Sequence, residues 1–187
     1  MLKRLFDVAV ALAGLAVLWP VLLVIAAAVR LGTPGPAIHW SRRVGQNNCL
    51  FDMPKFRTMR MDAPDVATHL LDNPDQWLTR LGRALRRTSL DELPQLWSVL
   101  VGKMSLVGPR PALFNQDDLV VLRTAAGVCA LRPGLTGWAQ VNGRDELAIA
   151  EKVGLDSVYL RRRSFLFDLR ILAMTARAAI TGQGVRH

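Results

Sequence analysis

From Val8 to Val29 the chain runs twenty-two residues without a charge, which at ~1.5 Å per residue makes about 33 Å of helix, enough to cross a bilayer. That run is longer than the apolar stretch of a typical signal peptide, and no small-residue cleavage site is followed by a mature-looking secreted sequence, so the segment reads as retained. Two features set it apart from an ordinary spanning helix. Pro20 stands near its middle, where a proline removes a hydrogen bond and kinks or breaks a helix. Its flanks are basic at both ends: Lys3 and Arg4 precede it, and Arg30, Arg42, Arg43, Lys55, Arg57 and Arg60 follow, with Asp52 the only acid between Arg30 and Arg60. Basic flanks tend to stay inside, so a re-entrant hairpin that dips in, turns near Trp19-Pro20 and leaves by the same face accommodates them better than a kinked span.

The rest of the composition agrees with a membrane setting. A formal net charge of +9 and a pI near 10.9 call for an anionic partner: nucleic acid, acidic lipid or phosphorylated substrate. With 51% hydrophobic residues and a positive mean hydropathy, the chain is unlike a soluble nucleic-acid binder. Cys49 and Cys129 lie far apart, and His39, His69 and His187 form no cluster, which argues against zinc and against a disulfide framework. The 187 residues suit one domain and one site. The expected division is a re-entrant membrane helix over residues 1–30 and a cytoplasmic, interfacial part over 31–187.

After the breaker Gly32-Thr33-Pro34-Gly35-Pro36, residues 37–43 and 49–56 flank Gly45-Gln46-Asn47-Asn48 and read as a small hairpin. A basic helix is expected over about 75–87. A second begins at about Asp91 or Leu93, with Leu93, Leu96, Trp97 and Leu100 on one face. Residues 117–126 read as a short helix and 132–144 as a structured loop with three glycines and one proline. Residues 165–180 place Phe165, Leu169, Leu172, Ala173 and Ala176 opposite Arg163, Arg170 and Arg177, a pattern shared by a helix in an anionic interface and a core-facing surface helix. Asp168, on its apolar side, needs a partner and is either an ion-pair member or a site residue. The fold class expected is α+β, predominantly helical, with a re-entrant membrane helix, a small β-hairpin and amphipathic interfacial helices.

The strongest local signal is Arg86-Arg87-Thr88-Ser89-Leu90-Asp91-Glu92-Leu93-Pro94-Gln95. Ser89 with Glu92 three residues on could be a capping box. Pro94 speaks against it, because that cap would place the proline where a helical N–H is needed, whereas a helix starting at Asp91 would not. Two acids at a helix start behind arginines suit a divalent cation, or attack on phosphorus, beside bound phosphate. Other basic and polar groups stand in tight turns: Lys55, Arg57 and Thr58 after the hairpin, Arg110 between two prolines, and Arg132, Thr136, Gln140, Asn142 and Arg144 in the glycine-rich loop. Several arginines on rigid loops are what recognition of a nucleoside diphosphate uses, because planar guanidinium groups bind phosphate bidentately. No Walker A, GxGxxG or GxSxG pattern is present in the sequence.

Read in order, Lys55-Phe56-Arg57-Thr58-Met59, Thr88 to Gln95, Ser105-Leu106-Val107-Gly108-Pro109-Arg110-Pro111, Arg132-Pro133-Gly134-Leu135-Thr136-Gly137 and Gln140-Val141-Asn142-Gly143-Arg144 resemble the bacterial sugar transferases, the monotopic phosphoglycosyl transferases. Asp156, Tyr159, Ser164 and Asp168 resemble the family's C-terminal pattern. The chain opens on its membrane segment, and in that it is similar to the minimal catalytic members. The resemblance implies a bacterial inner-membrane enzyme, its catalytic part on the cytoplasmic face, that moves a sugar phosphate from a UDP-sugar to polyprenol (undecaprenyl) phosphate. It implies Asp91 as nucleophile, Glu92 as its helper, both as ligands to Mg²⁺, and substrate contacts from Lys55, Arg57, Thr58, Arg86, Arg110, Thr136, Gln140, Asn142, Arg144 and Asp168. Two positions depart from the pattern: Trp19 precedes Pro20 where small polar residues are common, and Ser98 stands where Asn is usual. The rival readings are a non-catalytic basic scaffold on anionic lipid and, with less support, a nucleic-acid binder.

Overall fold

The long apolar run forms helix α1, Leu2–Gly32, with Pro20 inside it. This is a computed structural model of the protein, and it describes residues 1–64, 73–143 and 147–181. The expected break at Trp19-Pro20 is therefore a proline within one helical segment, with no loop between two arms. Both ends of α1 nevertheless meet the same body. At the first, Lys3 Nζ donates to Asp168 Oδ2 at 2.6 Å, and Arg4 donates to the carbonyls of Val99 and Leu100 at 2.6 and 2.9 Å. Asp7, buried, accepts from Ser105 Oγ and the Leu106 amide. At the other end Ile25 and Val29 pack with Phe56 and Leu85, and the carbonyls of Thr33 and Pro34 accept from Arg57. Between these anchors Leu12, Val17, Trp19, Val21, Leu23 and Val24 are exposed. A helix with a bare apolar middle and both ends on one body suits entry into and exit from a bilayer at one face.

Strands β1 (Ile38–Val44) and β2 (Leu50–Phe56) pair antiparallel, from Ile38 opposite Phe56 to Val44 opposite Leu50. Asn47 and Asn48 turn the hairpin with φ of 54° and 59°, a region asparagine tolerates. Opposed residues share a face, so Ser41 and Arg43 lie on the side of Phe51, Met53 and Lys55. Phe51 and Met53 are buried there, and Lys55 near the strand's end is half-buried.

The basic helix α2 is Arg80–Thr88, later than expected: a single 3₁₀ turn at Pro74–Gln76 precedes it, and Thr79 caps it by accepting from the Gly82 amide at 2.8 Å. Ser89 then takes a left-handed conformation and closes α2, so neither the capping box nor a long helix from Asp91 forms. Asp91 and Glu92 occupy a separate 3₁₀ turn, Leu90–Glu92, and Pro94 stands at the head of the short α3, Gln95–Leu100, where its missing N–H is not needed. The buried side of α3 is Gln95, Ser98 and Val99. Of the apolar face expected on this helix, Leu96 and Leu100 pack against the core, Leu96 also lies against Gly14 of α1, and Trp97 is exposed. Ser98 is buried and fits this packing as it stands.

Strands β3 (Ser105–Val107) and β4 (Gly134–Thr136) form a second, parallel pair. Helix α4 is Asp117–Ala125, as expected. The glycine-rich stretch holds β4 and the short α5, Trp138–Val141. Helix α6, Ile149–Arg162, was not read from the sequence, and α7, Phe165–Thr181, was. The body-facing line of α7 runs through Asp168, Ile171 and Thr175, and Leu169, Ala173 and Ala176 are exposed, an arrangement that suits the interfacial reading of its apolar side better than the core-facing one. Ala11, Phe51, Met53, Val99, Met104, Leu106, Val107, Tyr159 and Ile171 join α1, the hairpin, α3, β3, α6 and α7 in one core, each large side chain worth about 1.5–3 kcal/mol.

Candidate active site

The turn that carries Asp91 and Glu92 sits between α2 and α3, facing the end of β2 and the loop after β3. Asp91 is buried and Glu92 half-buried. Burial and the neighbouring Glu92 raise the Asp91 carboxyl above its ordinary range, against the pull of Lys55 and Arg86. Burial pushes Glu92 up as well, but the charge and hydrogen bond of Arg110, helped by Lys55 and Arg43, hold it below the usual carboxylate value. Arg110 Nη2 lies 2.6 Å from Glu92 Oε1, with Nη1 3.5 Å from Oε2. Lys55, desolvated and beside Arg43 and Arg86, is lowered to about 8. Two adjacent carboxylates thus lie among Arg43, Lys55, Arg86 and Arg110, one acid paired and the other made more basic.

Arg86 reaches the site from the last turn of α2, where its Nε donates to Thr58 Oγ1 at 3.0 Å. The helix can approach so closely because Gly82 lies on Thr58, whose carbonyl oxygen would stand 2.0 Å from a Cβ there. Arg110 is placed by the loop 108–112, whose backbone is tied at every residue. The Gly108 amide donates to Thr136 O and the Gly134 amide to Pro109 O, both at 2.9 Å. Arg123 Nη1 donates to Arg110 O at 2.7 Å and Arg43 Nη1 to Pro111 O at 3.2 Å, while the Val44 amide donates to Ala112 O at 2.9 Å. A Cβ on Gly108 would lie 2.3 Å from Arg132 O, and one on Gly134 2.1 Å from the Gly108 amide, so the two loops touch only because both are glycine there.

Of the expected site residues, Lys55, Arg86, Asp91, Glu92 and Arg110 converge, with Thr58 behind Arg86. The others have different partners. Arg57 is buried, with both terminal nitrogens engaged by Thr33 and Pro34, so it anchors the exit of α1. Thr136 bonds Thr175 Oγ1 and supports Gly108 from beneath. Gln140 donates to Leu135 O at 3.4 Å and Asn142 to Trp138 O at 2.7 Å, contacts local to their own segment. Asp168 accepts from Lys3 and from Tyr159 OH at the base of α1, an ion-pair role. Arg144 lies outside the described residues. Arg43 and Arg123 were not singled out for the site by the sequence reading, although each carried a signal: Arg43 shares the hairpin face of Lys55, and Arg123 stands four residues after Leu119 on the buried side of α4.

An exposed apolar helix anchored at both ends, on a body that carries a carboxylate pair among basic side chains, defines a membrane-associated protein. The chain belongs to the bacterial sugar transferase family, whose profile matches residues 1–182. It is a transferase. It is 41% identical over its full length to an uncharacterized sugar transferase, EpsL, of Bacillus subtilis (strain 168), covering 91% of that protein. It is 41% identical to the UDP-glucose:undecaprenyl-phosphate glucose-1-phosphate transferase of Escherichia coli (strain K12) over 94% of this chain, which spans only 39% of that relative. With the exopolysaccharide production protein ExoY of Rhizobium meliloti (strain 1021) it shares 37% identity over 98% of this chain and 88% of the relative.

Proposed function

We propose that the chain transfers a sugar 1-phosphate from a UDP-sugar to undecaprenyl phosphate, releasing UMP, at the cytoplasmic face of the bacterial inner membrane. The observation that carries this reading is the unequal pair: Asp91 buried and raised, Glu92 held ionised by Arg110, with Arg43, Lys55 and Arg86 around them. The relatives support the substrate class, since several are undecaprenyl-phosphate sugar phosphotransferases.

In this reading a carboxylate oxygen of Asp91 attacks the phosphorus that bears the sugar. The bond from that phosphorus to the bridging oxygen breaks, and UMP departs with the oxygen. The sugar phosphate is left on Asp91 as a mixed anhydride. An oxygen of undecaprenyl phosphate then attacks the same phosphorus, the Asp91 carboxylate leaves, and a polyprenyl diphosphate sugar results. Desolvation makes Asp91 a stronger nucleophile. The cations hold the diphosphate and stabilise charge gathering on its oxygens, where a planar guanidinium such as Arg110 binds best. Both ends of α1 rest on the body that carries this site, which supports an interfacial setting where a lipid phosphate can reach it.

Asp91 and Glu92 would hold Mg²⁺, which when bound offsets the charge of the diphosphate. Among the described residues no group of three or more His, Cys, Asp or Glu forms a metal cage. Two carboxylates suit a hard cation that takes its remaining oxygens from substrate phosphates and water.

The test is conversion of undecaprenyl phosphate to its diphosphate sugar across a panel of UDP-sugars, with UMP released in equal amount. The expected result is Mg²⁺-dependent turnover with at least one donor. Lipid binding that weakens with salt, with no UMP from any donor, would instead mark a basic scaffold.

A further inference from the structure

Behind the Arg110–Glu92 pair stands a second, deeper ion pair that the reaction scheme does not use. Arg123 on α4 and Asp156 on α6 are 8% and 1% exposed. Arg123 Nε and Nη2 both donate to Asp156 Oδ2, at 3.0 and 2.7 Å. Its remaining arm, Nη1, reaches Arg110 O at 2.7 Å. A guanidinium is the side chain able to do this, because its fork sends rigid donors in two directions at once, whereas an ammonium is a point charge on a flexible stem.

A fold in need of filler alone at this place would be served as well by apolar side chains, since a buried ion pair is weak evidence for stability. What an apolar pair lacks is a donor for the Arg110 carbonyl. Gly108, Pro109, Pro111 and Ala112 are buried, so the rest of the loop is held by packing as well, while Arg110 between them is partly exposed and carries the guanidinium of the site. A small open cleft of about 30 Å³ lies beside the loop, walled by Pro109, Pro111, Arg123, Val128 and Cys129 among others. Hydrogen bonds run along this loop, and Arg123 supplies one to the carbonyl of Arg110 itself.

We propose that Arg123, anchored by Asp156, is a positioning residue for transfer: it fixes the backbone at Arg110 and thereby the placing of the Arg110 guanidinium against Glu92 and the substrate phosphate. The last clause rests on the functional reading above; the backbone clamp does not. Positioning errors near 1 Å lower rates about 100-fold, so loss of the clamp lowers kcat by about 10- to 100-fold while the site's residues all remain.

The test uses the full-length protein with an R123M/D156L variant, which removes both charges together and keeps apolar volume in their place. Hydrogen exchange across residues 108–113 and thermal unfolding are measured first, then transfer kinetics in the wild-type and Arg110→Ala backgrounds. The expected result is a folded variant with faster exchange in that loop and a reduced kcat, with little further loss when the change is made on Arg110→Ala. Unchanged exchange overturns the clamp. Faster exchange with wild-type kcat, or an equal fold-loss on Arg110→Ala, overturns its catalytic role. Where the double change fails to fold, Arg123→Lys is read by the same measurements. Wild-type protein without transfer activity defeats the functional reading, and the clamp is then judged by exchange alone.

Discussion

Arg110 and Glu92 face each other across 2.6 Å, joining a loop between two prolines to the turn that carries the carboxylate pair. Both side chains are partly exposed, so the pair contributes little to stability, about 1 kcal/mol or less. Its importance lies in sorting the two acids: Glu92 is neutralised by its partner while Asp91 is left basic. Arg110→Lys keeps the charge and removes the fork. The expected outcome is a midpoint of thermal unfolding within a few degrees of wild type and a transfer rate lower by about 10- to 100-fold, less than the roughly 100- to 1,000-fold of a charge-stabilising donor lost outright because the charge is kept. Equal rates in the two proteins would remove the bidentate role.

Lys55 gives the site a pH dependence. With its pKa lowered to about 8 by burial and by Arg43 and Arg86, it is protonated below that pH and attracts the diphosphate, and it loses the charge as pH rises through about 8. The donor KM is therefore expected to rise between roughly pH 7.5 and 9 in steady-state kinetics. Lys55→Arg stays charged throughout and should flatten that rise. Linkage adds a separate sign: the folded state releases this proton before the unfolded state does, so stability from this group increases with pH between about 8 and the ordinary lysine value.

The membrane segment was the most legible part of the sequence, because length, absence of charge and basic flanks are local properties, and the exposed middle of α1 agrees with them. The hairpin was legible for the same reason, through its asparagine turn. The dyad could be named, but the turn around it could not be placed: Pro94 and the left-handed Ser89 divide the expected helix into a 3₁₀ turn and a six-residue α3, a choice made by packing against α1 and β2. Arginines were the least legible residues. Arg57, Arg86, Arg110 and Arg123 look alike in a sequence, yet one anchors the exit of α1, two face the carboxylates and one clamps a backbone. Which partner each meets is set by contacts across 13 to 33 residues, beyond the reach of local pattern. Helix α6 was missed because Val153, Asp156 and Tyr159, its buried line, mix apolar and polar groups.

Topology offers a test free of chemistry. With Cys49 and Cys129 changed to serine, single cysteines at Leu2 and Leu31 report the two ends of α1. Both are expected to react with an impermeant maleimide only after the inner membrane is opened. Labelling of one end in intact spheroplasts would show a spanning helix, which is incompatible with both ends being anchored to one body.

The most direct measurement of the central claim is the intact mass of detergent-purified protein incubated with Mg²⁺ and a panel of UDP-sugars, without undecaprenyl phosphate. The account predicts a sugar-phosphate adduct on the wild type and none on Asp91→Asn, with the adduct removed when undecaprenyl phosphate is added. No adduct from any donor, while UMP still appears once the lipid phosphate is supplied, would contradict a covalent aspartyl intermediate and leave direct transfer between the two substrates.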